Sequence, residues 1–213
     1  MPNERAAAAV HSTERGLMDM TYEEKKFNHL IGTPGFSEKL LQAHFKLYSG
    51  YVANTNKALD LMKTLEPGTP AWTEVKRRFG WEFNGMRLHE LYFSNMCEHK
   101  KTLPETSPLF KLMIKTFGSG QAGHDDFVNT GKMRGIGWVI MAYEPQAKQL
   151  LNVWINEHDV GHLSGAVPLL VMDVFEHAYI ADYGIDRAAY IKAFIEAIDW
   201  DVVQHRLEAA VLR

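Results

Sequence analysis

Apolar positions follow a helical period in the first half of the chain and mix with strand-like runs in the second. From Ser37 they recur at Leu40, Leu41, Leu47, Tyr48, Tyr51 and Val52, and again at Ala58, Leu59, Leu61 and Met62, the spacing of an amphipathic helix. Pro34 and Gly35 break structure ahead of this run, Ser37 can cap it, Glu38 favours a first turn, and EPGTP (residues 66–70) ends it. A second helical pattern runs from about Trp72 to Met96, so the pair reads as an antiparallel hairpin across a Pro/Gly turn.

KKTLPETSPL (residues 100–109) reads as a linker, with helices expected near Leu109–Phe117 and Asp125–Gly131. GIGWVIMAYEPQAKQLLNVWINEHD (residues 135–159) then shows two β-rich runs around EPQAK, a hairpin signal. VPLLVMD (residues 167–173) suggests a third strand and Arg187–Trp200 a closing helix. The expected fold class is α+β: an N-terminal antiparallel helical hairpin followed by an α+β domain with a small three-stranded antiparallel sheet. The division expected is an N-terminal extension over 1–30, a helical hairpin domain over 31–105 and a C-terminal α+β domain over 106–213.

The chain has 213 residues, 46% of them hydrophobic, enough to bury a substantial core. A formal charge of −3 argues against a general nucleic-acid or membrane-surface protein. One cysteine, Cys97, leaves no internal disulfide and no Cys-rich zinc module. No apolar run approaches the ~18 residues of a membrane span. MPNERAAAAVHSTERG (residues 1–16) has no continuous hydrophobic signal region, and a soluble, cytoplasmic protein with a loosely ordered start is expected.

The chemistry lies where polar groups interrupt apolar faces. VMDVFEHAY (residues 171–179) follows an apolar run yet carries two acids and a histidine, and buried ionised groups need partners. His44 stands between Leu40/Leu41 and Leu47/Tyr48 on the apolar face of its helix, and His89 belongs to the stripe Met86, His89, Phe93, Met96. Either alone could be a core histidine with one hydrogen bond. Two facing helices that each turn a histidine inward are how helical scaffolds build metal sites. With Asp173 and His177 they make three imidazoles and one hard carboxylate, a set that suits iron, manganese or zinc better than Cu(I).

DVFEHAY (residues 173–179) closely resembles the DVWEHAY signature of the iron/manganese superoxide dismutases. HFKLYSGYVANTN (residues 44–56) is similar to that family's first histidine helix and GMRLHELYF (residues 85–93) to its second. GIGWV (residues 135–139) matches its Gly-x-Gly-Trp strand and RAAYIKAFIEAIDW (residues 187–200) its final helix, so the likeness spans about Gly35 to Trp200. The resemblance implies that His44, His89, Asp173 and His177 hold one Fe or Mn ion per chain, with solvent completing five-coordination. It implies a homodimer or dimer of dimers in which Glu176 reaches across to the partner subunit's His177. The substrate implied is superoxide, dismuted to O₂ and H₂O₂ by alternating metal oxidation states, with no nucleic acid or membrane involved.

In this family a Gln or His holds the bound solvent. The Gln position four residues before the second histidine is Gly85 here, so His158, fifteen residues before Asp173, is the implied alternative. HDVGH (residues 158–162) also echoes the zinc-hydrolase HExxH, but Gly161 and the β-type residues before it argue against the helix that motif needs. The gateway tyrosine usually stands eight residues beyond the first ligand; here Tyr51 stands seven beyond and Tyr48 four. A one-residue deletion that removes a π-type bulge would account for this and makes Tyr51 the gateway, with Tyr48 in reserve. Ile180 replaces the family's tyrosine after EHAY, so the usual cross-dimer His–Tyr contact is expected to be absent. Trp138, Trp154 and Phe175 would wall the site, and Lys46 and Arg87 are candidates for drawing in the anion. The competing class is a scaffold or assembly protein of the same fold without redox activity.

Overall fold

The computed structural model describes residues 21–212. Its two long helices, α1 (Glu38–Thr64) and α2 (Pro70–Ser94), form the expected antiparallel hairpin. Ser37 Oγ accepts the Leu40 N–H and Thr69 Oγ1 the Trp72 N–H, so each helix starts on a side-chain cap, and Pro70 follows Thr69 where its missing N–H is harmless. The buried face of α1 carries Leu40, Leu41, His44, Tyr48, Val52, Thr55 and Ala58.

Two shorter helices, α3 (Pro108–Phe117) and α4 (Gly120–Gly131), lead into a sheet of β1 (Gly137–Glu144), β2 (Gln149–Asn156) and β3 (Val167–Asp173). The strand order is β2-β1-β3, antiparallel throughout. The central strand β1 is buried from Gly137 to Tyr143, which is why it reads as a continuous apolar run. Gly137 opens it at φ +149°, and a Cβ there would lie 1.9 Å from Ile155 O; only glycine lets the two strands meet. The short α5 (Ile180–Tyr183), α6 (Arg187–Glu196) and α7 (Trp200–Val211) complete the chain.

Two expectations are corrected. The closing helix does not run to Trp200. It stops at Glu196, and Asp199 caps a further helix, α7, by accepting the Asp201 and Val202 N–H groups. Helix α4 begins at Gly120, five residues ahead of its expected start. The two glycines of its first turn suggest a loop, but Ser119 caps the helix, and Gly123 lets Phe117 approach to where a Cβ would be 2.8 Å away. The start expected to be loosely ordered, residues 1–16, lies outside the described residues, and the segment 21–30 that follows is anchored at a few points. Phe27 is buried against Phe45, Tyr48 and Phe93, and the Tyr22 backbone exchanges two hydrogen bonds with the Asn56 amide.

The buried side chains of the hairpin and of the C-terminal half meet in one core. Polar ties set their alignment. Asn95, at the end of α2, pairs its amide with both backbone groups of Val171, at 2.9 and 3.2 Å. Arg206 of α7 donates to Leu91 O, Ser94 Oγ and Leu169 O. Together they lock the end of the His89 helix to the strand that delivers Asp173.

Candidate metal centre

Each of the four candidate ligands arrives on a different element. His44 comes from the second turn of α1 and His89 from the last third of α2. Asp173 is the final residue of β3, and His177 lies in the 3₁₀ turn Glu176–Ala178 that follows. Asp173 Oδ2 lies 3.2 Å from His44 Nε2, 3.1 Å from His177 Nε2 and 3.6 Å from His89 Nε2. All four atoms fall within 4.8 Å of one another. Neighbouring donors about 2.1 Å from a shared ion are separated by roughly 3.0–3.4 Å, so these spacings suit a single cation.

The donors are also aimed. His89 Nδ1–H donates to Gly85 O at 2.5 Å, which leaves the lone pair of Nε2 facing the cluster. That Nε2 is buried and has no hydrogen-bond partner, the unmet acceptor that a cation would satisfy. Asp173 Oδ1 accepts the Phe175 N–H at 2.8 Å, which orients the carboxylate, and the Tyr190 hydroxyl donates to the Asp173 backbone oxygen. Burial pushes His44 and His89 below the usual histidine range, so both stay neutral. Burial alone would raise Asp173, but His177 and His44 beside it hold it well below the carboxylate range. The result is two buried neutral imidazoles, His44 and His89, beside one ionised carboxylate. That donor set fits a hard or borderline metal ion.

Residues 105–206 match the sequence profile described as iron/manganese superoxide dismutases, C-terminal domain. The chain is 33% identical over 184 residues to a superoxide dismutase [Fe] of Pyrobaculum aerophilum, with 84% of this chain and 87% of the relative covered. It is 34% identical over 183 residues to a superoxide dismutase [Fe] of Cupriavidus metallidurans, covering 83% and 91%. A superoxide dismutase [Mn] of Haloferax volcanii is 34% identical over 181 residues, covering 84% and 90%. The chain belongs to the iron/manganese superoxide dismutase family.

Beside this donor cluster runs a hydrogen-bonded line of three side chains. Trp138 Nε1–H donates to His158 Nδ1 at 3.0 Å, and His158 Nε2 meets the Tyr51 hydroxyl at 2.8 Å. An indole N–H can only donate, so His158 Nδ1 is an acceptor and the neutral ring carries its proton on Nε2. His158 therefore donates to Tyr51 Oη, and the tyrosine's own proton remains free to point elsewhere. Burial pushes His158 down to about 4 and, reinforced by Asp173 and Glu82, raises Tyr51 above its ordinary value. Both stay in these forms at neutral pH. The Tyr51 ring stacks on His89 at 5.1 Å, and it can do so because Gly85 is bare: a Cβ there would lie 2.5 Å from Tyr51 Cδ1.

Helix α1 is α-helical from Glu38 to Thr64, without a π turn, and places His44, Tyr48 and Tyr51 within two turns. The two tyrosines then part company. The Tyr48 hydroxyl donates to the buried Glu90 at 3.0 Å and accepts the Lys25 N–H, away from His158.

Phe175 stacks on His158 at 4.8 Å and on His177 at 5.1 Å, and Trp138 stands edge-on to His89 at 4.9 Å, so both wall the site. Trp154 does not. It pairs with Val139 in the sheet and so faces away from Trp138, where it covers Gly135. The wall residue that sequence reasoning missed is Trp81, 4.5 Å from His158 and 5.6 Å from Tyr51. The signal was present: Trp81, Gly85 and His89 recur every four residues on one face of α2. Arg87 is not free to attract an anion, because it pairs with Glu90. Lys46 is exposed. The cation against this wall is Arg78, 3.8 Å from the Trp81 ring centre. HDVGH is a turn in which His162 Nε2–H donates to His158 O, so those two imidazoles do not form a chelating pair. Glu176 and Ile180 are exposed beside His177.

Proposed function

We propose that this chain is a superoxide dismutase that converts two superoxide ions and two protons to O₂ and H₂O₂, using one iron or manganese ion held by His44, His89, Asp173 and His177. The observation that carries the reading is the buried, partnerless Nε2 of His89 converging with three other donors. The bound ion supplies one-electron chemistry by alternating between its trivalent and divalent states. The protein's part is to hold the ion, exclude bulk water and deliver protons.

Tyr51 is the residue placed for delivery. Its hydroxyl oxygen is occupied by the His158 N–H, its proton is uncommitted, and burial keeps it protonated. It therefore acts as a donor to the reduced oxygen species rather than as a base. His158 orients it, and Trp138 sets the tautomer of His158.

The same reading makes the protein a cytoplasmic homodimer or dimer of dimers, with exposed Glu176 hydrogen-bonding the partner subunit's His177. Among the described residues no helix is long and apolar enough to cross a membrane. A scaffold role would not require four aimed ligands. Metal analysis of protein purified without added metal, paired with superoxide-scavenging assays after reconstitution with iron and with manganese separately, tests the proposal. About one ion per chain with activity is the expected outcome; folded, inactive protein that takes up neither ion refutes it.

A further inference from the structure

The turn that carries His158 is held from outside the ligand cluster by a residue of the other half of the fold. Trp81 Nε1–H donates to Glu157 Oε2 at 3.1 Å, a bond spanning 76 positions that joins α2 to the segment following β2. Glu157 immediately precedes His158 and has φ +50°, one of two non-glycine residues with positive φ among the described residues. A glutamate is disfavoured in that conformation by about 1 kcal/mol or more, so something has to hold it there. The Trp81 ring meets the His158 ring edge-on at 4.5 Å, so the indole contacts the imidazole directly as well as through the neighbouring carboxylate. Trp81 is itself pinned. The Arg78 guanidinium covers its outer face, and Arg78 Nε–H is tied at 2.9 Å to Glu82, whose carboxylate is buried.

We propose that Trp81 is a positioning residue: through its bond to Glu157 it holds the strained turn, and through its ring it sets His158 at hydrogen-bonding distance from Tyr51. The inference rests on the superoxide dismutase reading above. Neither residue touches the substrate in this scheme, and both act on proton delivery through His158. Replacing Trp81 by Phe keeps a ring in the wall and removes the donor. The turn then relaxes, His158 swings with it, and the Tyr51 hydroxyl loses its orientation.

The test compares metal-loaded wild type with Trp81→Phe, Glu157→Ala, Glu157→Gln and the Trp81→Phe/Glu157→Ala double variant. An arrangement that governs proton delivery but not encounter lowers kcat and KM together, so kcat should fall roughly three- to tenfold with kcat/KM held within about twofold. Glu157→Gln keeps an oxygen to accept the indole N–H and should restore most of the loss. Because the two residues act as a unit, the double variant should be no slower than the slower single variant. A crystal structure of metal-loaded Trp81→Phe should show Tyr51 Oη and His158 Nε2 separated by more than about 3.5 Å. Unchanged kcat, a parallel loss of kcat and kcat/KM, additive losses in the double variant, or an intact Tyr51–His158 bond each overturn the positioning role. A wild type that binds neither iron nor manganese overturns the functional reading instead.

Discussion

Gly85→Ala adds one methyl group at the point where α2 and the Tyr51 ring touch, and its consequences can be worked from distances. The new Cβ would lie 2.5 Å from Tyr51 Cδ1 and 2.7 Å from Cε1. Carbon atoms rest at about 3.5–4.0 Å, so the ring has to retreat by roughly 1 Å. Its hydroxyl now sits 2.8 Å from His158 Nε2, and a retreat of that size takes it beyond hydrogen-bonding range. Alanine favours a helix over glycine by about 1 kcal/mol, overpacking costs roughly 1–3 kcal/mol, and the lost hydrogen bond adds about 1 kcal/mol. The net loss of roughly 1–3 kcal/mol leaves a folded protein whose thermal midpoint drops by several degrees. Metal content should be unchanged, because His89 is oriented by the Gly85 carbonyl and not by a side chain. Superoxide turnover at saturation should fall about tenfold or more, since a misplaced proton donor forfeits part of the 10²–10⁴ that general acid catalysis provides. The assay is stopped-flow decay of superoxide with metal analysis on the same samples. In a Tyr51→Phe background the alanine should add little further loss. Wild-type turnover in Gly85→Ala, or an equal further loss in the Tyr51→Phe background, refutes the claim that this glycine exists to admit the tyrosine.

Other perturbations separate the roles of the remaining residues. Asp173→Asn removes the one carboxylate among the four donors and should weaken metal binding by more than about 100-fold, beyond the effect of losing an outer partner. Added iron or manganese should then raise the thermal midpoint of metal-free wild type but not of the variant; full metal occupancy in Asp173→Asn contradicts the assignment. His158 is pushed from its ordinary 6.5 down to about 4 in the folded state, so the unfolded chain binds the proton first as pH falls. Its contribution is present above about pH 6.5 and is lost toward pH 4, and His44 and His89, also depressed by burial, act in the same direction. Denaturant melts of metal-free protein should show this loss, and a smaller one in His158→Gln; superimposable profiles count against a buried neutral His158. His158→Gln can keep both bonds, accepting from Trp138 and donating to Tyr51. It should nonetheless alter activity with one metal more than with the other, and unchanged activity with both would discard His158 as the residue that tunes the site.

Much of the site could be read along the chain because its chemistry violates local pattern. A histidine on an apolar helix face, or an aspartate ending an apolar strand, stands out before any coordinates exist. Capping serines, the EPGTP break and the tight β-hairpin are local too, and the hairpin and sheet follow from them. Elements that pattern obscured had competing local signals. The glycines of α4 look like a loop until Phe117 is seen filling the space beside Gly123, and α7 hides behind an Asp199 cap that follows another helix after three residues.

Residue types and their order along the polypeptide were enough to pick out the four residues that cluster as candidate ligands, and to place Tyr51 and Tyr48 near them. Choosing between the hydroxyls was another matter. Both tyrosines share one helix, and what separates them is a histidine more than 100 positions downstream that reaches Tyr51 while Glu90 takes Tyr48. The tryptophans divide in the same way. Strand β2 carries apolar residues on both faces, so alternation alone does not say which side Trp154 takes, and its pairing with Val139 turns it away from the site. Trp81 enters because the turn after β2 folds back against α2. Contacts between distant segments depend on register and on the approach of whole elements, and neither quantity is written in any local stretch of sequence.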